Sequence, residues 1–164
     1  MKQLTLIRHA KSSWQDPDQS DWDRPLNKRG QRDLPGLTQR LLQKVERPDL
    51  LLFSGAQRTL ETQAPLAAAW QLPATAVKKT PQAYEASLNT LLMLLQEQPD
   101  SCERLVLVGH NPGMSELLAF LIGETPRHYP TAAFAHLLLP ISSWTQLEPG
   151  TAKLEVFDYP KLHG

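Results

Sequence analysis

The chain has 164 residues, which is long enough for one domain with a sizeable core and short for two. Its 17 basic and 17 acidic side chains balance, which argues against nucleic acid as the main partner, because phosphate-backbone binding usually shows as a basic excess. The single cysteine, Cys102, excludes an intramolecular disulfide and a cysteine-rich zinc site. No apolar run reaches membrane-spanning length and no apolar signal core opens the chain. We therefore expect one cytoplasmic domain over residues 1–164 with no membrane partner.

The first predicted strand is apolar until it ends in a cluster of polar residues. Residues 4–7 suit a buried strand, and Arg8, His9 and Lys11 come at or just after its end. Ligands of an open α/β sheet bind just beyond the carboxyl ends of its strands. These side chains are therefore candidates for a functional site, and the polar loop over residues 14–24 is expected to fold over them.

Two further apolar runs are followed by residues of the same chemistry. Residues 50–53 form an unbroken apolar run, typical of a strand covered on both faces, which ends at Ser54 with Arg58 four residues later. Residues 104–109 have the clearest strand pattern in the chain and lead directly into His110. If these strands are parallel neighbours, all of these groups meet at one edge of the sheet.

The spacing of apolar residues predicts helices between the strands. Asn27, Ser87 and Asn111 are the expected N-caps of three of them, and Ser54 with Gln57 has the spacing of a capping box for the other. The helices are expected at about 28–45, 54–70 with a break at Pro65, 88–98 and 112–123, and further strands at 74–78, 133–139 and 153–157. This order predicts an α/β fold: a three-layer α/β/α sandwich with a mainly parallel central sheet.

A sheet edge with two guanidiniums and two imidazoles is suited to bind an oxyanion such as phosphate. The planar forks of Arg8 and Arg58 match phosphate oxygens. The same fixed positive charges would repel a metal ion beside His9 and His110, and no metal-ligand spacing accompanies them. We expect no metal and no cofactor. The chain lacks a P-loop and a Cys-x₅-Arg loop, so a histidine is the remaining nucleophile of suitable type.

The motifs that carry this pattern resemble a known family. Residues 6–12, Leu-Ile-Arg-His-Ala-Lys-Ser, resemble the Arg-His-Gly signature of the histidine phosphatase (phosphoglycerate mutase-like) superfamily, with Ala10 in place of the glycine. The Ala-Lys-Ser version is similar to the small SixA-type phosphohistidine phosphatase branch. The other matching motifs, in order, are Asp23-Arg24-Pro25-Leu26 with Gly30, Ser54-x-x-x-Arg58-Thr59-x-x-Thr62, Tyr84, Gly109-His110-Asn111-Pro112-Gly113 and Pro130-Thr131-Ala132-Ala133.

The resemblance implies a phosphoglycerate mutase-like fold and a role for each matching residue. His9 would be the nucleophile that forms a phosphohistidine intermediate, and Arg8, Arg58 and His110 would bind the phosphoryl oxygens. The further residues assigned to substrate binding are Lys11, Ser12, Asn111 and Thr131.

The general acid is the open role. Glu85, beside Tyr84, is the candidate, and Asp16, Asp18 and Asp23 are loop alternatives. A phosphohistidine that is protonated on its ring expels neutral imidazole, whose conjugate acid has a pKa of about 6.5, whereas an alkoxide needs a proton to leave. The lack of a clear general acid therefore favours a phosphoramidate such as phosphohistidine, or another substrate with a good leaving group, over sugar phosphates.

The expected function is that of a metal-independent phosphatase acting on phosphohistidine in a signalling or phosphotransfer protein, such as a histidine-phosphotransfer domain. Two alternatives stay open. One is a phosphomonoesterase for small phosphorylated molecules. The other is a non-catalytic module that recognises phosphate.

Overall fold

The computed structural model describes residues 1–164. Its helices and strands alternate along most of the chain. In order they are β1 (Lys2–Arg8), α1 (Lys28–Lys44), β2 (Leu50–Phe53), α2 (Gln57–Ala69), β3 (Val77–Lys79), α3 (Leu88–Gln96), β4 (Arg104–Gly109), α4 (Gly113–Ile122), β5 (Phe134–Leu139) and β6 (Lys153–Asp158). No helix is both long enough and apolar enough to cross a membrane.

The six strands form one sheet in the order β3-β2-β4-β1-β5-β6. The pairs β3/β2, β2/β4 and β4/β1 are parallel, and β5 pairs antiparallel with both β1 and β6. Only β5 therefore runs against the other strands. The predicted mainly parallel sheet is confirmed.

Helices cover both faces of this sheet, which is why all of β2 and most of β4 are apolar. Along β1, Leu6 packs into a core with α3 and α4, whereas the next residue, Ile7, packs into a second core with α1 and α2. Leu107 and Val108 of β4 divide in the same way, because successive strand side chains point to opposite faces. The predicted three-layer α/β/α sandwich is confirmed.

The predicted start and break of α2 are wrong. The helix begins after Ala56, without a side-chain cap, because the Ser54 hydroxyl is hydrogen-bonded to His110 and the Ala56 N–H. Pro65 lies inside one continuous helix. Leu66 in its last turn and Trp70 just after its end are buried, and this packing offsets the loss of the backbone hydrogen bond that a proline removes.

Smaller differences concern three other element ends. The first residue of α4 is Gly113 rather than Pro112, and the side chain of Asn111 accepts from the Ser115 N–H, one turn into the helix. Helix α3 ends two residues earlier than predicted, at Gln96. Residues 74–76 form a 3₁₀ turn, so β3 starts only at Val77.

Candidate active site

The register of the sheet brings His9 and His110 together. Arg8 at the end of β1 pairs with Gly109 at the end of β4, so His9 and His110 leave neighbouring strands at the same level. Their ring centroids are 5.2 Å apart. On the other side of β4, Phe53 pairs with Val108, which places Ser54 beside the same edge.

His9 is held in one orientation by the backbone around it. Its N–H donates to the Gly109 carbonyl at 3.1 Å, and the next N–H, of Ala10, donates to the Thr62 hydroxyl at 3.0 Å. The ring Nδ1 lies 2.7 Å from the Ala10 carbonyl oxygen. A carbonyl oxygen only accepts, so Nδ1 carries the proton and Nε2 keeps its lone pair.

The His9 ring is neutral at pH 7. Burial, the largest effect, lowers its pKa to about 3, together with the charges of Arg58 and Arg8 and that of His110 once this ring is protonated in acid. The hydrogen bond to Ala10 opposes this shift. A neutral imidazole with a free Nε2 is the form of histidine that acts as a nucleophile.

His110 is anchored through the opposite nitrogen. Its Nε2 lies 2.7 Å from Ser54 Oγ, and its buried Nδ1 has no hydrogen-bond partner. Burial lowers the pKa of His110 to about 4, with a further contribution from the charges of Arg58 and Arg8 and an opposing one from Asp21. This ring is therefore also neutral at pH 7.

Arg8 and Asn111 are positioned by one buried carbonyl. The Tyr129 carbonyl oxygen accepts from Arg8 Nη1 at 2.9 Å and from Asn111 Nδ2 at 3.0 Å. Tyr129 is itself fully buried, and its hydroxyl donates to the Leu6 carbonyl of β1. The buried Nε of Arg8 has no partner, so this N–H is unused within the protein.

Arg58 is bound to Asp21, a residue that the sequence did not single out as part of the site. Its Nη1 donates to the Asp21 backbone oxygen at 2.7 Å and its Nη2 to the carboxylate at 3.0 Å. The same carboxylate accepts from Arg24 Nη1 at 2.7 Å and from the Tyr84 hydroxyl.

The Asp21 carboxylate is ionised. Burial alone would raise its pKa, but the hydrogen bonds from Tyr84, Arg58 and Arg24 and the charge of Arg58 lower it to about 2. In the sequence, the only signal for this residue is its spacing of three from Arg24, with which it forms an ion pair. Three other aspartates crowd the same loop, so that spacing did not single it out.

The cleft has a volume of about 360 Å³, and all nine residues that the sequence assigned to the site line it. The lining residues from that prediction are Arg8, His9, Lys11, Ser12, Arg58, Glu85, His110, Asn111 and Thr131. Asp16, Asp18 and Asp23 do not line it. Glu85 has a φ of 49°, a conformation that non-glycine residues rarely adopt and that is often found at functional sites.

The remaining lining residues come from the loop between β1 and α1. Trp14 is exposed, and the Arg24 guanidinium lies 3.4 Å from its ring centroid. The same guanidinium donates through Nη2 to the Ser12 hydroxyl. As predicted, the loop folds over the residues that follow β1. No three His, Cys, Asp or Glu side chains cluster as a group able to hold a metal ion.

Comparison with known proteins identifies the family. Residues 4–98 match the sequence profile of the histidine phosphatase superfamily (branch 1). The chain belongs to this superfamily. The resemblance inferred from the sequence motifs is confirmed, and the protein is a phosphatase.

Relatives of this histidine phosphatase occur in bacteria and plants. It is 30% identical over 165 residues to the uncharacterized protein Rv1276c of Mycobacterium tuberculosis, covering 94% of this chain and all of that protein. It is 46% identical over 61 residues to a chloroplastic protein of Arabidopsis thaliana, which covers 37% of this chain but only 28% of the plant protein. The crystal structure of the protein assigned as phosphohistidine phosphatase SixA from Agrobacterium tumefaciens is 29% identical, with a TM-score of 0.83 over 97% of this chain and 98% of that one.

Proposed function

We propose that this phosphatase hydrolyses phosphohistidine in a signalling or phosphotransfer protein, through a covalent phosphohistidine on His9 and without a metal. The observation that carries the proposal is the 2.7 Å contact from His9 Nδ1 to the Ala10 carbonyl, because it leaves Nε2 as a neutral nucleophile. The likeness to a SixA-type phosphohistidine phosphatase supports the choice of substrate.

In the first step, His9 Nε2 attacks the phosphorus atom of the substrate. A P–N bond to His9 forms while the P–N bond to the substrate histidine breaks, and a ring-protonated substrate leaves as neutral imidazole. In the second step, water attacks the same phosphorus, the bond to His9 breaks, and orthophosphate and a proton are released.

The charge of the transferring group is stabilised by donors around His9. Arg8 Nε is buried and has no partner within the protein, so it has a hydrogen bond to give to a phosphoryl oxygen. His110 Nδ1 is also buried and without a partner, and it donates to the phosphoryl group when the ring is protonated or when Nε2 accepts from the Ser54 hydroxyl. Arg58 supplies a second guanidinium. Lys11, Ser12, Asn111 and Thr131 are assigned to substrate binding, since they line the same cleft.

The leaving group distinguishes this substrate from alkyl phosphates. Asp21 lies in the cleft, but with a pKa of about 2 it carries no proton to donate at pH 7. Glu85 is the other carboxyl of the lining, and it accepts no hydrogen bond from any site residue. We assign Glu85 as the acid for poorer leaving groups, so Glu85→Gln slows an alkyl phosphate and leaves phosphohistidine turnover unchanged. Equal losses on both substrates would contradict this assignment.

The test of the function is phosphate release from a phosphohistidine-bearing histidine-phosphotransfer domain, measured beside p-nitrophenyl phosphate. The wild type is expected to dephosphorylate the domain with and without EDTA. His9→Ala is expected to fall to the background rate, and an alkaline quench of the wild type is expected to trap an alkali-stable, acid-labile phosphate on His9.

His163→Ala is the matched control, since this histidine does not line the cleft. It should retain the wild-type rate on both substrates. Turnover of p-nitrophenyl phosphate without turnover of the domain would favour a small-molecule phosphomonoesterase. Phosphate binding with no hydrolysis of either compound would show a recognition module instead.

A further inference from the structure

A second and larger groove opens from the same residues that border the catalytic cleft. Its volume is about 870 Å³, against about 360 Å³ for the cleft, and the two share Arg8, Lys11 and Thr131. From there the groove runs past the first turn of α1 at Arg29, the loop before β5 and the C-terminal turn at Lys161. A substrate whose phosphoryl group lies in the cleft therefore has this groove beside it.

The groove is strongly cationic in a chain whose overall charge is zero. Its lining contains one carboxylate, Glu124, and five cations: Arg8, Lys11, Arg29, Arg127 and Lys161. Glu124 is already paired with Arg127, at 3.2 Å. Lys11, Arg29 and Lys161 form no ion pair with any carboxylate, so their charges are available to a ligand.

Apolar surface lies between these charges. Phe157 and Tyr159 line the groove with their ring centroids 6.0 Å apart, and the Arg127 guanidinium lies 5.0 Å from the Phe157 centroid. Three prolines complete this surface: Pro126, Pro130 and Pro160. A large groove with apolar walls and separated cations suits a stretch of polypeptide with several acidic side chains better than a single small anion.

We propose that this groove binds acidic side chains that flank the phosphorylated histidine of a protein substrate. The proposal rests on the function proposed above, because it concerns the same reaction and the same cleft. Unpaired Arg29 and Lys161 attract the acidic flank, and the apolar walls contact its backbone and side-chain stems. Such attraction acts mainly on the encounter with the substrate and on its orientation. We therefore expect an acidic flank to raise kcat/KM more than kcat.

Two short synthetic peptides test this proposal. Each carries one phosphohistidine, flanked by Glu in one peptide and by Gln in the other. The wild type is expected to prefer the Glu-flanked peptide by about tenfold in kcat/KM. Raising the ionic strength from about 0.1 M to about 1 M shortens the Debye length from about 10 Å to about 3 Å and is expected to abolish that preference.

The double variant Arg29→Gln/Lys161→Gln is expected to lose the preference at low salt. Lys28→Gln is the matched control, because Lys28 is exposed on the same helical turn as Arg29 but does not line the groove. It should keep the wild-type ratio.

The ratio of the two peptides tests the groove, and turnover of the Gln-flanked peptide tests the proposed function. A wild type that hydrolyses both peptides equally, or a double variant that keeps the preference, would overturn the groove proposal alone. If the wild type hydrolyses neither peptide, both proposals are wrong. If it shows no peptide preference but favours a small bisphosphate over the matched monophosphate, the groove binds a small-molecule anion instead.

Discussion

Asp21 holds both terminal nitrogens of Arg58. Its carboxylate lies 3.0 Å from Nη2, and its backbone oxygen lies 2.7 Å from Nη1. One residue of the loop between β1 and α1 thus engages the guanidinium that we assign to the phosphoryl group. An incoming phosphoryl oxygen has to share Arg58 with this carboxylate or displace it.

Asp21→Asn is expected to tighten the binding of orthophosphate and vanadate. The substitution removes a negative charge beside a bound dianion and keeps a side chain that can contact Arg58. Exposed charge pairs contribute up to about 1 kcal/mol. A gain of that size in the free energy of oxyanion binding lowers the inhibition constant by about fivefold at pH 7. Asp23→Asn is the control, since Asp23 is exposed and does not line the cleft. Weaker oxyanion binding in Asp21→Asn would contradict the competition for Arg58.

Ser54→Ala is expected to lower kcat by about tenfold. The Ser54 hydroxyl is the partner of His110 Nε2 at 2.7 Å, so without it the ring is no longer held in the orientation that faces the phosphoryl group. A loss of about 1.4 kcal/mol of transition-state stabilisation corresponds to the tenfold fall in kcat. Because Ser54 acts through His110, the acidic limb of the pH–rate profile should also shift. Ser115→Ala, which removes a hydroxyl bonded to the Arg127 carbonyl outside the cleft, should leave that profile unchanged. An unshifted profile in Ser54→Ala would show a structural role only.

Gly30→Ala is expected to destabilise the fold and impair the site. A Cβ at this position would lie 2.2 Å from the carbonyl oxygen of Lys11, a backbone atom two residues after His9. The overlap forces a backbone shift with a cost of about 1–3 kcal/mol, measured as a lower midpoint of urea unfolding.

Gly36→Ala, in the same helix, is the matched control for Gly30→Ala. Its Cβ would meet no backbone atom, only Arg40 Nη1 at 2.9 Å, and Arg40 is held by Asp158. The gain from replacing a mid-helix glycine is therefore offset by a small shift of that side chain, and stability should change by less than about 1 kcal/mol. Equal effects of the two substitutions would contradict the close approach at Gly30.

Stability is expected to fall as the pH is lowered from about 6.5 to about 4. The pKa of His9 is about 3 and that of His110 about 4 in the folded chain, both lowered mainly by burial from the usual 6.5. In this window the unfolded chain binds protons that the folded chain does not, so acid favours unfolding, by about 1 kcal/mol per pH unit for each histidine.

The measurement is the free energy of unfolding of the wild type and of His9→Gln/His110→Gln across this range. The double variant should show a shallower fall with acid. Above about pH 7.5 the two proteins should depend on pH alike, since neither histidine then binds a proton in either state. A parallel fall below pH 6.5 would mean that these rings are charged in the folded protein.

Much of the fold was predictable because its signals are local. Unbroken apolar runs predicted β2 and β4, and the N-caps Asn27 and Ser87 were placed correctly at the starts of α1 and α3. The prediction failed where a side chain has a distant partner. Ser54 has the spacing of a capping box, yet its hydroxyl is bonded to His110, 56 residues away in the chain.

The sequence by itself determined the chemistry at the strand ends: Arg8-His9 after one apolar run, Arg58 near a second and His110 after a third. These residue types already implied a phosphoryl site, because their charge and geometry are properties of the side chains. Only the tertiary structure decided which nitrogen of each ring is free, that Asp21 rather than Asp16, Asp18 or Asp23 reaches the cleft, and that unpaired cations gather beside it. Those features depend on hydrogen bonds and burial between segments far apart in the chain, which spacing along the sequence does not encode.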